Sequence, residues 1–178
     1  AGARKLFLEI CNDECDDADA WAAFGAVNGQ LGRIKEAIIC LKRSASIKCN
    51  NGIAYLNLGL AFTELNLFGE AEQSYKTAIS YASPDHEIYL NLGYVLTCQG
   101  KVEEAIETYR IALKKRHDND IAHSNLIFAL NYLPDCDAGT IYDEHRHWIS
   151  CQMPESPPVV DHNNSPEPER TLRVGYLS

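Results

Sequence analysis

The chain has 178 residues, 46% hydrophobic and 23% charged, with 25 Asp and Glu against 16 Lys and Arg for a formal net charge of −9. That is enough apolar material for one ordered unit, and the acidic balance argues against a grip on nucleic acid or on an anionic membrane surface. No apolar run reaches spanning length and no stretch reads as a secretory leader.

Small residues recur in register along most of the sequence. Ala3, Ala37, Ala71 and Ala105 are spaced by 34, as are Gly25, Gly59 and Gly93. Large residues hold the same period: Trp21, Tyr55 and Tyr89 in one set, Phe7, Leu41, Tyr75 and Tyr109 in the other. A period near 34 with this large–small pairing resembles the tetratricopeptide helix–turn–helix unit. The expected fold is therefore all-α, an open α-solenoid of stacked helix pairs whose surfaces recognise other molecules.

Taken in chain order, residues 1–17 align with the second helix of a truncated repeat, with Ala3 and Phe7 at the small and bulky positions. Three full units follow at 18–51, 52–85 and 86–119. Each reads as two helices with apolar residues at i, i+3, i+4 and i+7. In the second unit Tyr55, Leu58 and Leu65 form one expected inward stripe and Ala71, Tyr75 and Ala78 the other. The turn between the helices carries Gly32, Asn66 and Gly100, residues that tolerate the left-handed conformation closing a helix. Asp85 and the run Asp118 to Asp120 offer side-chain acceptors for N-caps. Glycine at 25, 59 and 93 lets the two helices of a unit approach, so a bulky residue there is expected to overpack the joint.

Residues 120–152 begin a fourth unit, but Ile127 stands where glycine is expected, and Leu133-Pro134-Asp135 breaks the register before a capping helix from about Ala138 to Cys151. Residues 153–170 carry five prolines among polar residues and read as a linker. Residues 171–178 read as one strand, with Leu172, Val174, Tyr176 and Leu177 apolar. A solenoid opening mid-repeat and closing on an unpaired strand is expected of a piece of a longer chain. Self-association through unpaired repeat ends is then a further expectation.

Seven cysteines are scattered over different units, with no C-x-x-C pair. Reduced, part-buried thiols in a cytoplasmic protein are expected. His145 and His147 are two apart on a helix and point to different faces, so no shared metal is expected.

The candidate site is the concave wall formed by the first helix of each pair. Asn57, Asn91 and Asn125 fall at one register with a 34-residue spacing, Ala23 holding that position in the first unit. A carboxamide carries two donors and an acceptor, so a ladder of them can hold a peptide backbone whatever its sequence. The same asparagines can equally bond between neighbouring first helices as part of the repeat. Leu60, Tyr94 and Phe128 are expected beside them, with Leu56, Thr63, Leu90, Thr97 and Ser124, and no Lys or Arg among these positions. A clamp for a partner's C-terminal carboxylate needs cations, so that mode is not expected. The partner expected in this groove is a protein or peptide segment.

The most specific signal lies after the last repeat. Ser124-Asn125-Leu126, Leu130-Asn131-Tyr132, Pro134-Asp135, Glu144-His145-Arg146 with Trp148, and Leu172-Arg173-Val174-Gly175-Tyr176 resemble the join between repeats and catalytic region in bacterial O-GlcNAc transferase-like and SPINDLY-like glycosyltransferases. The resemblance implies that the repeats recruit acceptor protein. It also implies that a separate domain transfers sugar from a nucleotide donor, a UDP-sugar, to Ser or Thr. It assigns no catalytic residue, cofactor or metal to these 178 residues. By the same resemblance 137–152 caps the solenoid, with Ile141, Tyr142, Trp148 and Ile149 buried. The reading of a different class is an interaction scaffold with no enzymatic activity.

Overall fold

The structure, a computed structural model, describes residues 16–81 and 85–152. Most of the truncated repeat of residues 1–17, the linker 153–170 and the strand 171–178 lie outside the described residues. Among those described there are eight α-helices: α1 Ala18–Gln30, α2 Ile34–Ile47, α3 Gly52–Glu64, α4 Phe68–Tyr81, α5 His86–Cys98, α6 Val102–Lys115, α7 Asp120–Leu130 and α8 Ala138–Gln152. They pack as hairpins, α1 on α2, α3 on α4 and α5 on α6, and each second helix packs on the next first helix. The first helices also touch one another, α1 with α3, α3 with α5 and α5 with α7, and so form a continuous wall.

Local chemistry sets the hairpins. Gly32, Asn66 and Gly100 have φ of 72°, 57° and 74°, the left-handed turns expected from their sequence. Beyond each, an N–H donates to the carbonyl five residues back: Arg33 to Asn28 at 2.9 Å, Leu67 to Phe62 at 2.9 Å, Lys101 to Leu96 at 3.0 Å. The first helices start on side-chain caps, Asp17 for α1, Asn51 for α3, Asp85 for α5 and Asn119 for α7. Leu65 departs from the expected inward stripe. It is the C-cap of α3 and more than a third exposed, because the chain leaves the helix there.

The small residues close the hairpins. A Cβ added at Gly25 would lie 2.5 Å from Leu41 Cγ, at Gly59 2.5 Å from Tyr75 Cε1, and at Gly93 2.5 Å from Tyr109 Cε1. The bulky residue of each second helix is thus pressed against the backbone of the first. Tyr75 and Tyr109 are fully buried, and each phenol meets a threonine of the first helix: Thr63 at 3.3 Å and Thr97 at 3.2 Å. Those threonines donate to the carbonyls of Gly59 and Gly93.

The fourth unit lacks this joint. After Leu133-Pro134-Asp135 no second helix arrives in register, and Ile127 is buried where the earlier units have glycine. α8 instead packs on α7 and is tied by Arg110–Glu144 at 3.6 Å and by Gln152 to the carbonyl of Asp118 at 3.1 Å. None of the four residues expected to be buried is: Ile141 and Trp148 turn toward α7 but stay half-buried, and Tyr142 and Ile149 are 60% and 56% exposed. The reason is helical phase: Ile141, Glu144 and Trp148 make one stripe, and each residue one step on is rotated about 100° away from it.

Candidate partner-binding face

Six side chains were expected on the concave wall, and all six lie on first helices: Asn57 and Leu60 on α3, Asn91 and Tyr94 on α5, Asn125 and Phe128 on α7. The three asparagines are half-buried, while Leu60, Tyr94 and Phe128 expose 41%, 48% and 54% of their surface. Asn57 donates from Nδ2 to the carbonyl of Ile53 within its own helix at 3.0 Å. Among the described residues none of the three bonds to a neighbouring first helix, so the Asn91 and Asn125 carboxamides keep their donors and acceptors for other groups.

Tyr94, Asn125 and Phe128 come together in one cleft of about 510 Å³ between α5 and α7. Asn57, Leu60 and Asn91 stand outside it, further along the wall. Sequence reasoning missed Tyr132, which follows α7 and sets its ring edge-to-face on Phe128 at 5.0 Å. The aromatic pair at i and i+4 was a readable signal for it. Thr97, Cys98, Gly100, Val102 and Tyr109 complete the lining, residues from two helices and the turn between them that no local pattern joins to α7. The cleft is mostly aromatic and aliphatic, with one carboxamide and hydroxyls to fix orientation, as small recognition pockets are.

The electrostatics distinguish its phenols. The Tyr94 pKa is raised, first by hydrogen bonding with the Cys98 thiol, then by that thiol's charge, by partial burial and by the Glu64 carboxylate one repeat back. Burial pushes Tyr75 and Tyr109 up to about 12 against the opposing effect of their threonine hydrogen bonds. On α4, burial acts to raise the Glu72 pKa. Hydrogen bonds from Lys101, Lys76 and Gln99 outweigh it and bring the carboxyl to about 2. Lys76 and Lys101 lie 2.6 and 2.7 Å from its two oxygens, joining α4 to the turn of the next unit.

A second, more open groove of about 630 Å³ lies between α2, α3 and α4, lined by Lys42, Tyr55, Phe62, Glu70 and Gln73 among others. His123, buried in α7, packs against His147 and Trp148 of α8 with ring centroids 5.7 and 6.5 Å away. Among the described residues no three His, Cys, Asp or Glu side chains are placed to hold a metal ion, and no helix is long and apolar enough to cross a membrane.

Family comparisons agree with this architecture. Residues 18–51 and 53–85 match the tetratricopeptide repeat, and residues 93–130 match a TPR repeat. A probable UDP-N-acetylglucosamine–peptide N-acetylglucosaminyltransferase SPINDLY of Solanum lycopersicum is 35% identical over 66 residues, 37% of this chain but only 7% of that protein. Among solved structures, a mutant of the Thermobaculum terrenum O-GlcNAc transferase superposes with a TM-score of 0.65 at 26% identity, over 74% of this chain and 25% of that one. YrrB, a TPR protein with an unusual peptide-binding site, gives a TM-score of 0.73 at 13% identity over 82% and 74% of the two chains. MamA gives 0.75 at 19% identity over 84% and 85%, a likeness of fold. With repeat matches, glycine joints and hairpin geometry all in one register, the chain belongs to the tetratricopeptide-repeat family.

Proposed function

We propose that this chain is a protein-binding repeat region that holds an extended partner segment along the wall of first helices. The observation that carries it is the row of Asn57, Asn91 and Asn125, which recur at 34-residue spacing beside half-exposed Leu60, Tyr94 and Phe128. Carboxamides read the backbone of the segment and the apolar rings take its side chains. Replacing the three asparagines with alanine is expected to weaken partner binding while leaving the melting temperature in place. Binding and melting that fall together would make the row a structural feature of the repeats.

In the same reading the bound partner is the acceptor of an O-GlcNAc transferase-like glycosyltransferase. The sugar comes from a UDP-sugar held outside these repeats, and the repeats contribute no catalytic group. Support comes from the local similarity to SPINDLY, the likeness to the Thermobaculum terrenum enzyme, and the Asn125, Pro134 and Trp148 pattern after the last repeat. Reading the coding sequence past Ser178 tests this half. A Pro/Ser-Asp-Phe stretch with a histidine a few residues on is the expected continuation. An in-frame stop leaves the interaction scaffold as the function.

A further inference from the structure

We propose that the cleft between α5 and α7 takes a basic side chain, Lys or Arg, of the segment held on the first-helix wall. The inference rests on the groove reading above and adds to it the chemistry of one partner residue.

Charge is segregated between the two helices of each hairpin. α1, α3, α5 and α7 carry no Lys or Arg, and their acidic residues are Asp19, Glu64, Glu87 and Asp120. The described cations lie instead on α2, α4 and α6, in the segments flanking them, and at Arg146 of α8. The first helices thus offer a segment lying on them carboxylates and no cation of their own; Lys48 pairs with Asp19 at 3.8 Å, and Lys115 reaches over Tyr89 from α6. An acidic side chain is repelled there and a basic one attracted.

The cleft itself is electron-rich. Tyr94, Phe128 and Tyr132 each expose about half of their surface, Tyr109 and Val102 line it further, and Asn125 and Thr97 supply oxygen acceptors. An aromatic face carries negative charge density and attracts a cation placed over it. A volume of about 510 Å³ accommodates the aliphatic stem of a long basic side chain against the rings while its head reaches the oxygens. Glu64, one repeat back, adds a carboxylate close enough to act on the Tyr94 phenol.

The chain shows the same pairing elsewhere with its own residues. Lys42 Nζ lies 5.8 Å from the Phe62 centroid, Lys115 Nζ 5.6 Å from Tyr89, and the Arg146 guanidinium 5.9 Å from Tyr142. No described Lys or Arg stands over Tyr94, Phe128 or Tyr132.

Selection from a random short-peptide display library against the 178-residue protein tests this. Recovered peptides are expected to carry Lys or Arg at one fixed position. Norleucine at that position is expected to lower affinity about fivefold, a loss that grows smaller at high salt. Tyr94→Ala and Phe128→Ala, with melting temperatures checked, are expected to abolish the preference for Lys over norleucine. Peptides enriched in apolar or acidic residues, or bound equally with norleucine, overturn the basic preference and leave the groove reading standing. A selection that enriches nothing overturns both.

Discussion

The first helices and the second helices of this solenoid share one period but do opposite work. The second helices and the turns before them carry cations that are already engaged, Lys76 of α4 and Lys101 of the next turn with Glu72, Arg110 with Glu144, Lys42 over Phe62. The first helices carry no cation, and their half-exposed Tyr94 and Phe128 and the Asn91 and Asn125 carboxamides make no comparable contacts. Charged pairs on the second-helix side tie neighbouring units together, while on the proposed binding wall Asn91 and Asn125 make no side-chain hydrogen bond among the described residues. If the proposed function holds, a repeat with one packing rule separates stability from recognition.

The joint between the walls is the place to break that division hardest. Gly59→Leu or Gly93→Leu drives a side chain into the buried ring of Tyr75 or Tyr109, and is expected to cost roughly 3 kcal/mol in urea denaturation. Alkali acts on the same joint. Both phenols titrate at about 12 in the folded protein, against about 10 unfolded, so ionisation of the unfolded chain comes first. Stability is then unaffected below pH 10 and falls between about pH 10 and 12, by up to about 3 kcal/mol for each phenol. Tyr75→Phe and Tyr109→Phe are expected to remove that alkaline loss in a pH series.

Smaller effects sharpen the contrast between the walls. Glu72→Ala, on the second-helix side, is expected to cost about 1–2 kcal/mol by leaving Lys76 and Lys101 without their acceptor. Because the folded-state pKa of Glu72 is depressed from 4.5 to about 2, its contribution is present above pH 4.5 and lost as the pH falls toward 2. Urea midpoints measured down through that window for the wild type and Glu72→Ala should converge. Asn91→Ala, on the first-helix wall, is expected to change stability by less than about 0.5 kcal/mol in the same assay while lowering peptide affinity.

Much of this was legible because the period forces like residues into like places. Gly59 could be matched to Tyr75 and Gly93 to Tyr109 from spacing alone, and Asn66 announced its positive φ by sharing a register with Gly32 and Gly100. Legibility fails where the repeat does. α8 has no counterpart to align with, so the sequence offered Ile141, Tyr142, Trp148 and Ile149 as equals, and only the docked helix separates the half-buried stripe of Ile141 and Trp148 from exposed Tyr142 and Ile149. The cleft is also a tertiary fact. Tyr94, Val102, Asn125 and Tyr132 come from two first helices, a second helix and a turn, and no local pattern predicts that they share one space.

The proposed function depends on which wall a partner touches. An amide and side-chain chemical-shift footprint of a library-selected peptide on the isotope-labelled protein reads that directly. The expected result is a continuous track of shifts over Asn57, Asn91, Tyr94, Asn125 and Phe128, with the groove of Lys42, Phe62 and Gln73 unmoved. Shifts confined to that second groove, with the asparagine row silent, would contradict it.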